Sequence, residues 1–303
     1  MKYRDFSMEK DGFVAHLAEP DGGSEKAVLV IMGGEQSVLP GKIIAERFAD
    51  YGILGLAVSL YGAPGLPASP DRCPLEMFEA AVNYIRNVKK IEHISTYGMS
   101  MGSIFAALVA VYIGGIENVV MVSPTHVPFQ GTTRDKKKMT GHSVATWKGQ
   151  DIPFVTADFS KVKAMKYQSH PAAAYKVMGM WCAYYEAYRN KAAEEKAQLP
   201  MEKTKARILL IAGGADEAWP AEYSVNYMEK YLRQKQYQRE VKVLVYPKAS
   251  HLLGMMPNKN REKKLYRMLW LIGFVYKSFG KNKKECLQAF DAAEKEIIEW
   301  INS

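Results

Sequence analysis

Residues 98–102 (Gly-Met-Ser-Met-Gly) constrain the fold of this chain more than any other stretch. The segment before them, 91–97, is typical of a short buried strand, and the segment after them, 103–110, is typical of an apolar helix. A strand that turns directly into a helix brings the two backbones so close that side chains at both glycine positions would collide with their neighbours. The pattern therefore predicts a sharp turn with Ser100 exposed at its apex, although an ordinary Gly/Ser turn contains the same residues.

Strand-like and helix-like segments alternate along most of the chain. Continuous β-branched and apolar runs predict at least six strands, at 27–32, 54–60, 91–97, 118–122, 207–212 and 240–246. Apolar residues at helical spacing predict helices at 40–51, 75–88, 103–110 and 283–301. This alternation predicts an α/β fold in which a mainly parallel sheet is covered by helices on both faces.

The alternation breaks between residues 123 and 205. This stretch has no clear strand run, and it contains an aromatic helical pattern at 181–188. An insertion of this length more often forms a functional lid or pocket wall than an idle loop, although the aromatic stripe also suits the buried face of a lid helix. Since no repeat or low-complexity linker occurs, we expect a single domain over residues 1–303 with a lid or cap inserted at 123–205.

Partners for the serine follow two later strands. A serine hydroxyl becomes a strong nucleophile only when a base takes its proton and an acid orients that base. In enzymes whose nucleophilic serine lies at such a strand-to-helix turn, the chain order is serine, acid, histidine, each after a strand end. Asp216 follows the strand at 207–212 in a glycine-rich turn, and His251 follows the strand at 240–246. We therefore predict Ser100, Asp216 and His251 as nucleophile, acid and base.

Other residues compete for these roles. Glu217 is the alternative acid, and Asp216 could instead cap a helix or shape a turn. Two histidines precede the predicted turn and three fall in the insertion, out of the expected order: His16, His93, His126, His142 and His170. Surface or structural roles suit these five better than that of the base.

The tetrahedral intermediate of acyl transfer needs two N–H donors. One is expected from the backbone of Met101, at the N-terminus of the helix after Ser100. The second is expected after the strand at 27–32, where either Gly34 or Glu35 could donate. Because the sequence contains no metal-ligand cluster and no phosphate-binding glycine loop, we predict a reaction without cofactor or metal.

The chain is basic, with a net charge of +9, and much of the excess lies in lysine clusters at 136–138, 259–264 and 281–284. Such runs are usually solvated loops. The functional alternative is attraction of an anionic substrate, for example a phosphate-bearing coenzyme A ester. No recognised motif or aromatic-interleaved basic stripe accompanies the charge, so we do not expect a nucleic-acid partner.

The three cysteines, Cys73, Cys182 and Cys286, have no metal-like spacing and are odd in number. This favours a reducing, cytoplasmic compartment over a disulfide framework, and the N-terminus lacks the apolar stretch of a signal peptide. The most apolar run, 268–276, is too short to span a bilayer. We predict a buried helix or lid segment there and no stable membrane insertion. The sequence favours no particular oligomeric state.

Six segments of the chain match one known pattern, namely 30–34, 98–102, 122–124, 147–153, 214–219 and 246–251. Together they resemble the C-terminal catalytic domain of the acyl-CoA thioester hydrolase/bile acid-CoA:amino acid N-acyltransferase family, which implies the α/β-hydrolase fold from about residue 27 onward. The segment around Trp147 and the pairing of Asp216 with Trp219 are the more specific, because generic hydrolases do not require them. By this resemblance Ser100, Asp216 and His251 match the family's catalytic triad.

The chain also departs from that family. Members commonly carry an N-terminal immunoglobulin-like β-sandwich, whereas only residues 1–26 precede the matching region here, and residues 258–279 diverge. The amino-acid-conjugating branch uses a cysteine nucleophile, so Ser100 favours hydrolysis by water. The resemblance implies a serine hydrolase that cleaves an acyl thioester or ester, with acyl-CoA favoured, through an acyl-enzyme. Carboxylesterase, peptidase or acyltransferase activity on the same residues, or a non-catalytic binding protein, are the alternatives.

Overall fold

The computed structural model describes residues 1–34, 38–133, 138–158, 180–260, 263 and 271–303. Several features predicted from the sequence lie outside these residues: Glu35, Lys136, Lys137, His170, Lys264 and the first part of the apolar run at 268–276. The described strands are β1 (Lys2–Phe6), β2 (Ala15–Glu19), β3 (Lys26–Ile31), β4 (Leu54–Val58), β5 (Cys73–Pro74), β6 (His93–Met99), β7 (Asn118–Val122), β8 (Gln130–Thr132), β9 (Met139–Ser143), β10 (Ala145–Trp147), β11 (Gln150–Asp151), β12 (Arg207–Gly213) and β13 (Val241–Tyr246). The described α-helices are α1 (Met8–Asp11), α2 (Leu39–Asp50), α3 (Glu76–Asn83), α4 (Met101–Tyr112), α5 (Met180–Ala187), α6 (Lys191–Ala197), α7 (Ala221–Gln234), α8 (Ile272–Val275), α9 (Lys277–Lys281) and α10 (Lys283–Asn302).

An eight-stranded sheet forms the centre of the molecule, in the order β1-β2-β4-β3-β6-β7-β12-β13. The six strands from β4 to β13 are parallel, which confirms the predicted mainly parallel sheet. Strands β1 and β2 extend it as an antiparallel pair, and β2 runs antiparallel to β4. The hydrophobic pattern predicts no strand in these N-terminal residues, whereas the structure places His16 within the sheet, on β2.

Side chains of the central strands alternate between two apolar layers, as a strand covered on both faces requires. On β3, Leu29 and Ile31 belong to the layer that contains α3, α4 and α7. The intervening Val28 and Val30 belong to the opposite layer, which contains α2 and α10. This two-sided burial explains why the parallel strands are continuous apolar runs in the sequence.

The segment 123–205 departs from the expectation of no strand. Strands β8 and β9 pair antiparallel, and β10 pairs with β11 and with β5 in a second small sheet. These strands are two to five residues long, too short for the hydrophobic periodicity on which the prediction depends. Helices α5 and α6 follow in the same segment.

A buried carboxylate fastens α10 to the rest of the fold. Glu294 Oε1 accepts hydrogen bonds from Arg47 of α2 and from the hydroxyl of Tyr51 at 2.6 Å. Glu294 Oε2 accepts the backbone N–H of Met256 at 3.0 Å. The last helix is thereby joined both to α2 and to the loop that follows β13.

In the described part of the chain, no helix combines the length and the apolar character needed to cross a lipid bilayer.

Replacing Glu294 by alanine should lower the free energy of unfolding by about 3 kcal/mol, because Arg47 and the Met256 N–H lose their buried acceptor. The control is Glu299→Ala on the same helix, whose exposed carboxylate lies 3.7 Å from Lys295 and should change stability by less than about 0.5 kcal/mol. Urea unfolding followed by circular dichroism measures both. Equal losses in the two variants would contradict the role given to Glu294.

Candidate active site

Ser100 stands between β6 and α4 in a backbone conformation that few residues other than glycine adopt, with φ of 56° and ψ of −128°. Its N–H donates to the carbonyl of Val122 on the neighbouring strand at 2.9 Å. A conformation of this kind costs on the order of 1–3 kcal/mol and persists only where the surroundings impose it.

The glycines on either side are required by the space available. A Cβ at Gly98 would lie 2.4 Å from the carbonyl oxygen of Gly102, and a Cβ at Gly102 would lie 2.0 Å from the carbonyl oxygen of Ile31. The close approach of β6, α4 and β3 therefore leaves no room for any side chain at either position. This is the tight strand-turn-helix that the sequence predicts.

Three strand ends bring Ser100, His251 and Asp216 together. The Oγ of Ser100 lies 2.9 Å from Nε2 of His251, and Nδ1 of His251 lies 2.7 Å from Oδ2 of Asp216. Asp216 and His251 are almost completely buried. The three side chains form a continuous hydrogen-bonded chain along which a proton can leave the serine hydroxyl for the imidazole.

The other oxygen of Asp216 orients the carboxylate. Oδ1 accepts the backbone N–H groups of Ala218 at 2.8 Å and Trp219 at 3.2 Å. Because both oxygens accept hydrogen bonds, the carboxylate plane is fixed relative to the His251 ring.

Glu217, the alternative acid, points elsewhere. Its Oε1 accepts both the backbone N–H and the hydroxyl of Ser278, at 3.2 and 3.1 Å, and its buried Oε2 has no hydrogen-bond partner among the residues that the structure describes. Burial raises the pKa of Glu217 above its ordinary value, the bonds from Ser278 offset part of that rise, and the charge of Asp216 adds to it. Glu217 thus holds α9 close to the site without contacting His251.

The other described histidines are engaged away from Ser100. His16 lies 2.6 Å from Asp5, His93 lies 3.0 Å from Glu117, and His142 forms an ion pair with Asp151. His126 is completely buried between Glu194 and Ser224, at 3.0 Å from each. Burial lowers the pKa of His126. Of the histidines that the structure describes, His251 is the one within hydrogen-bond distance of the serine.

The two predicted N–H donors lie at the same cavity as Ser100. Met101 is the first residue of α4, where backbone N–H groups have no acceptor within the helix. Gly34 lines the cavity from the β3 side, and the preceding Gly33 packs so closely that a Cβ there would lie 2.8 Å from the Cβ of Ser100. The other candidate donor, Glu35, lies outside the described residues.

The cavity above Ser100 is mainly apolar and has a volume of about 380 Å³. Among the described residues that line it, none is Asp, Glu, Lys or Arg, and the larger ones include Ile104, Phe129, Trp219, Leu252 and Tyr276. The amide of Gln130, also in the wall, is held by the backbone of Ala157 through two hydrogen bonds. The cavity therefore suits an uncharged, apolar group next to the serine.

Within the ranges that the structure describes, no group of three or more His, Cys, Asp or Glu side chains is placed to hold a metal ion.

Two residues of the site are not identified individually by any sequence motif. The ring of Tyr276 lies 5.6 Å from that of His251, and the hydroxyl of Ser123 donates to the carbonyl of His251 at 2.6 Å. In the sequence, Tyr276 ends an apolar run and Ser123 belongs to one of the six family segments. No local signal identifies either contact, because each joins residues far apart in the chain.

The chain is similar in sequence to known proteins. The family model described as BAAT / Acyl-CoA thioester hydrolase C terminal matches residues 73–265. Acyl-coenzyme A thioesterase 1 of Rattus norvegicus is 24% identical over 236 residues, covering 77% of this chain and 50% of the relative. The peroxisomal succinyl-coenzyme A thioesterase of Mus musculus is 23% identical over 211 residues, covering 69% of this chain and 45% of the relative. The chain thus spans about half the length of these curated relatives.

Solved structures show the same fold at low identity. A putative dienelactone hydrolase from Klebsiella pneumoniae aligns with a TM-score of 0.53 and 14% identity, covering 100% of this chain and 98% of that one. A puromycin-hydrolyzing peptidase of Mycobacterium tuberculosis aligns with a TM-score of 0.52 and 13% identity, covering 91% of this chain and 39% of that one. The architecture is that of the α/β-hydrolases, as the sequence predicts.

Replacing Gly102 by alanine should lower the free energy of unfolding by about 3 kcal/mol or more, because the added methyl group overlaps the Ile31 carbonyl. Gly22→Ala is the control, since a Cβ there meets nothing within 4 Å and the residue has an ordinary φ. Urea midpoints of the two variants provide the measurement. A fully stable Gly102→Ala protein would contradict the packing described.

Glu217→Gln should stabilise the protein near pH 8 and lose that advantage toward pH 4. Because burial raises the pKa of Glu217 in the folded state, its ionisation destabilises the fold as the pH rises through that pKa, whereas glutamine does not ionise. Thermal unfolding from pH 4 to pH 8 measures the difference, with Glu229→Gln, at a partly exposed side chain, as control. A stability advantage of Glu217→Gln over the wild type that grows as the pH falls would contradict the raised pKa of Glu217.

Proposed function

Because the chain belongs to the BAAT / acyl-CoA thioester hydrolase C-terminal family, we propose that it is a serine hydrolase that cleaves an acyl thioester or ester, with acyl-CoA as the favoured substrate class. The observation that carries this proposal is the hydrogen-bonded chain from Ser100 through His251 to Asp216, beside an apolar cavity. The names of the curated relatives, which are thioesterases, support the thioester as substrate.

In this mechanism Ser100 Oγ attacks the acyl carbonyl while Nε2 of His251 takes the hydroxyl proton. Asp216 keeps Nδ1 protonated and stabilises the imidazolium that forms. The π electrons of the carbonyl move to its oxygen. The oxyanion that forms accepts hydrogen bonds from the backbone N–H groups of Met101 and Gly34. Collapse of the intermediate breaks the bond to sulfur, and the thiolate takes the proton from His251.

The acyl group then remains as an ester on Ser100. Water, activated by His251, attacks that ester through the same oxyanion site, and the carboxylic acid leaves as Ser100 recovers its proton. Serine, in place of the cysteine used by the amino-acid-conjugating branch, favours water over an amine as acceptor. Transfer to an amine is the second candidate outcome of the same acyl-enzyme.

The cavity supports an apolar acyl group as the part of the substrate next to Ser100. Its described wall carries no acidic or basic side chain, so a charged acyl terminus would lose water without gaining a partner there. Phe129 and Tyr184, both from segment 123–205, contribute to the wall, which supports the interpretation of this segment as a cap on a single domain. A cytoplasmic location also remains a proposal, supported by the three free cysteines.

Ser100→Ala should lower kcat/KM for a hydrolysed acyl-CoA by at least about 10³-fold and abolish labelling by a fluorophosphonate, because the acyl-enzyme of this mechanism forms on the Ser100 hydroxyl. Release of the free thiol from a panel of acyl-CoAs, compared with matched oxygen esters and amides, gives the substrate preference. The exposed Ser7→Ala variant is the control.

No turnover of any acyl substrate and no labelling of the wild-type protein would overturn the proposed function. Esters or amides that are hydrolysed much faster than thioesters would replace the thioesterase proposal by an esterase or peptidase. An acyl-amine product formed in the presence of amino acids would establish the transferase.

A further inference from the structure

Ser123 occupies an unusual position at the end of β7. It is completely buried, and its φ of 45° lies in the left-handed region that a residue with a side chain rarely adopts. Its N–H donates to the carbonyl of Ile211 on β12 at 2.7 Å. A strained backbone of this kind persists only where several contacts determine it together.

The two remaining polar groups of Ser123 contact the loops that carry the acid and the base. The hydroxyl donates to the backbone carbonyl of His251 at 2.6 Å, and the carbonyl of Ser123 accepts Nε1–H of Trp219 at 2.8 Å. Trp219 in turn donates its backbone N–H to Oδ1 of Asp216 at 3.2 Å. Its ring also stands edge-on to the His251 ring, at 5.6 Å between centroids.

These contacts form a second connection between Asp216 and His251, separate from the direct bond between their side chains. It runs from the Asp216 carboxylate through Trp219 and Ser123 to the main chain of His251, and it consists of buried hydrogen bonds. Neighbouring residues of this loop are held as well, because Ala215 N–H donates to the Ala249 carbonyl at 3.0 Å and the Ser278 hydroxyl donates to that of Ser250 at 2.9 Å, but the Ser123 bond falls on His251 itself. A fixed carbonyl restricts where the imidazole can lie relative to Ser100 Oγ.

We propose that Ser123 is a positioning residue for His251, and that Trp219 holds Ser123 in place while also orienting Asp216. The proposal rests on the proposed function, because it concerns the efficiency of His251 as the base. Ser123 itself does not line the cavity, so its effect passes through His251 and not through the substrate. The strain at Ser123 is balanced by the three hydrogen bonds that its backbone and hydroxyl make.

The test uses Ser123→Ala and Trp219→Phe, each of which removes one hydrogen bond of this connection. The control is Ser95→Ala. Ser95 is also a buried serine on a central strand and accepts a hydrogen bond from Asn118, but it lies at the other end of β6 from Ser100. Ser123→Ala should lower kcat by about 10- to 100-fold with little change in KM, because small displacements of a catalytic group have effects of this size. The apparent pKa in its pH–rate profile should also shift.

The double variant should lose little more than the worse single variant, because both bonds act in one connection. Ser95→Ala should keep the wild-type kcat and pH profile even if it unfolds at a lower temperature. A folded Ser123→Ala protein with wild-type kcat and an unchanged pH profile would overturn the proposal. If Ser123→Ala does not fold, Trp219→Phe decides by its pH profile and not by kcat, because Trp219 also lines the cavity.

A readout independent of turnover separates this proposal from the proposed function. The proton on Nδ1 of His251, hydrogen-bonded to Asp216, should give a downfield NMR resonance that His251→Gln removes. This resonance should shift or broaden in Ser123→Ala and Trp219→Phe and stay in place in Ser95→Ala. A wild-type protein that neither turns over substrates nor labels would refute the hydrolase, while a resonance unmoved in both Ser123→Ala and Trp219→Phe would refute the role of Ser123.

Discussion

The packing of α4 against the end of β3 is the constraint on which the rest of the site depends. The backbone at Gly102 comes so close to the Ile31 carbonyl that a methyl group would overlap it. The same approach places Gly33 against Ser100 and brings Gly34 to the cavity. Since oxyanion stabilisation requires N–H donors within hydrogen-bond distance of the reacting carbonyl, this packing places both the proposed nucleophile and its proposed donors.

The order of strands in the sheet explains how distant residues meet. Strands β6, β7, β12 and β13 are neighbours and parallel, so their carboxyl ends lie along one edge. That edge receives Ser100, Ser123, Asp216 and His251 in turn. Ser100 and His251 are 151 residues apart in the chain, and no local structure could bring them together. The site therefore depends on the order of the parallel strands, which brings these distant residues to one edge, more than on any single loop.

Much of this arrangement could be predicted because its causes are local or repetitive. The parallel strands are continuous apolar runs, since both faces are buried, and two glycines around Ser100 indicate a tight turn. Asp216 and His251 could be chosen by chain order after strand ends. Strand β1 could not be predicted in this way, because it is a mostly polar, exposed edge strand, and β2 could not because its five residues contain no continuous β-branched or apolar run.

Contacts between remote segments have no comparable local cause. The left-handed backbone of Ser123, its bond to the His251 carbonyl and the ring of Tyr276 over His251 depend on where loops end in space. Glu217 and Asp216 are adjacent and chemically alike, and only their surroundings separate them: one faces Ser278 and the other faces His251. Sequence order can suggest such residues but does not assign their partners.

At Ser100, the proposed nucleophile, the contacts that hold the backbone are separate from the side chain that would react. The backbone there is fixed by Gly98, Gly102 and the Val122 carbonyl, and none of these contacts involves the Ser100 hydroxyl. A different side chain at this single position would meet the same histidine, the same backbone donors and the same cavity. The residue at position 100 can therefore be replaced by a single substitution, which would change the reacting group and leave the backbone contacts of the turn in place.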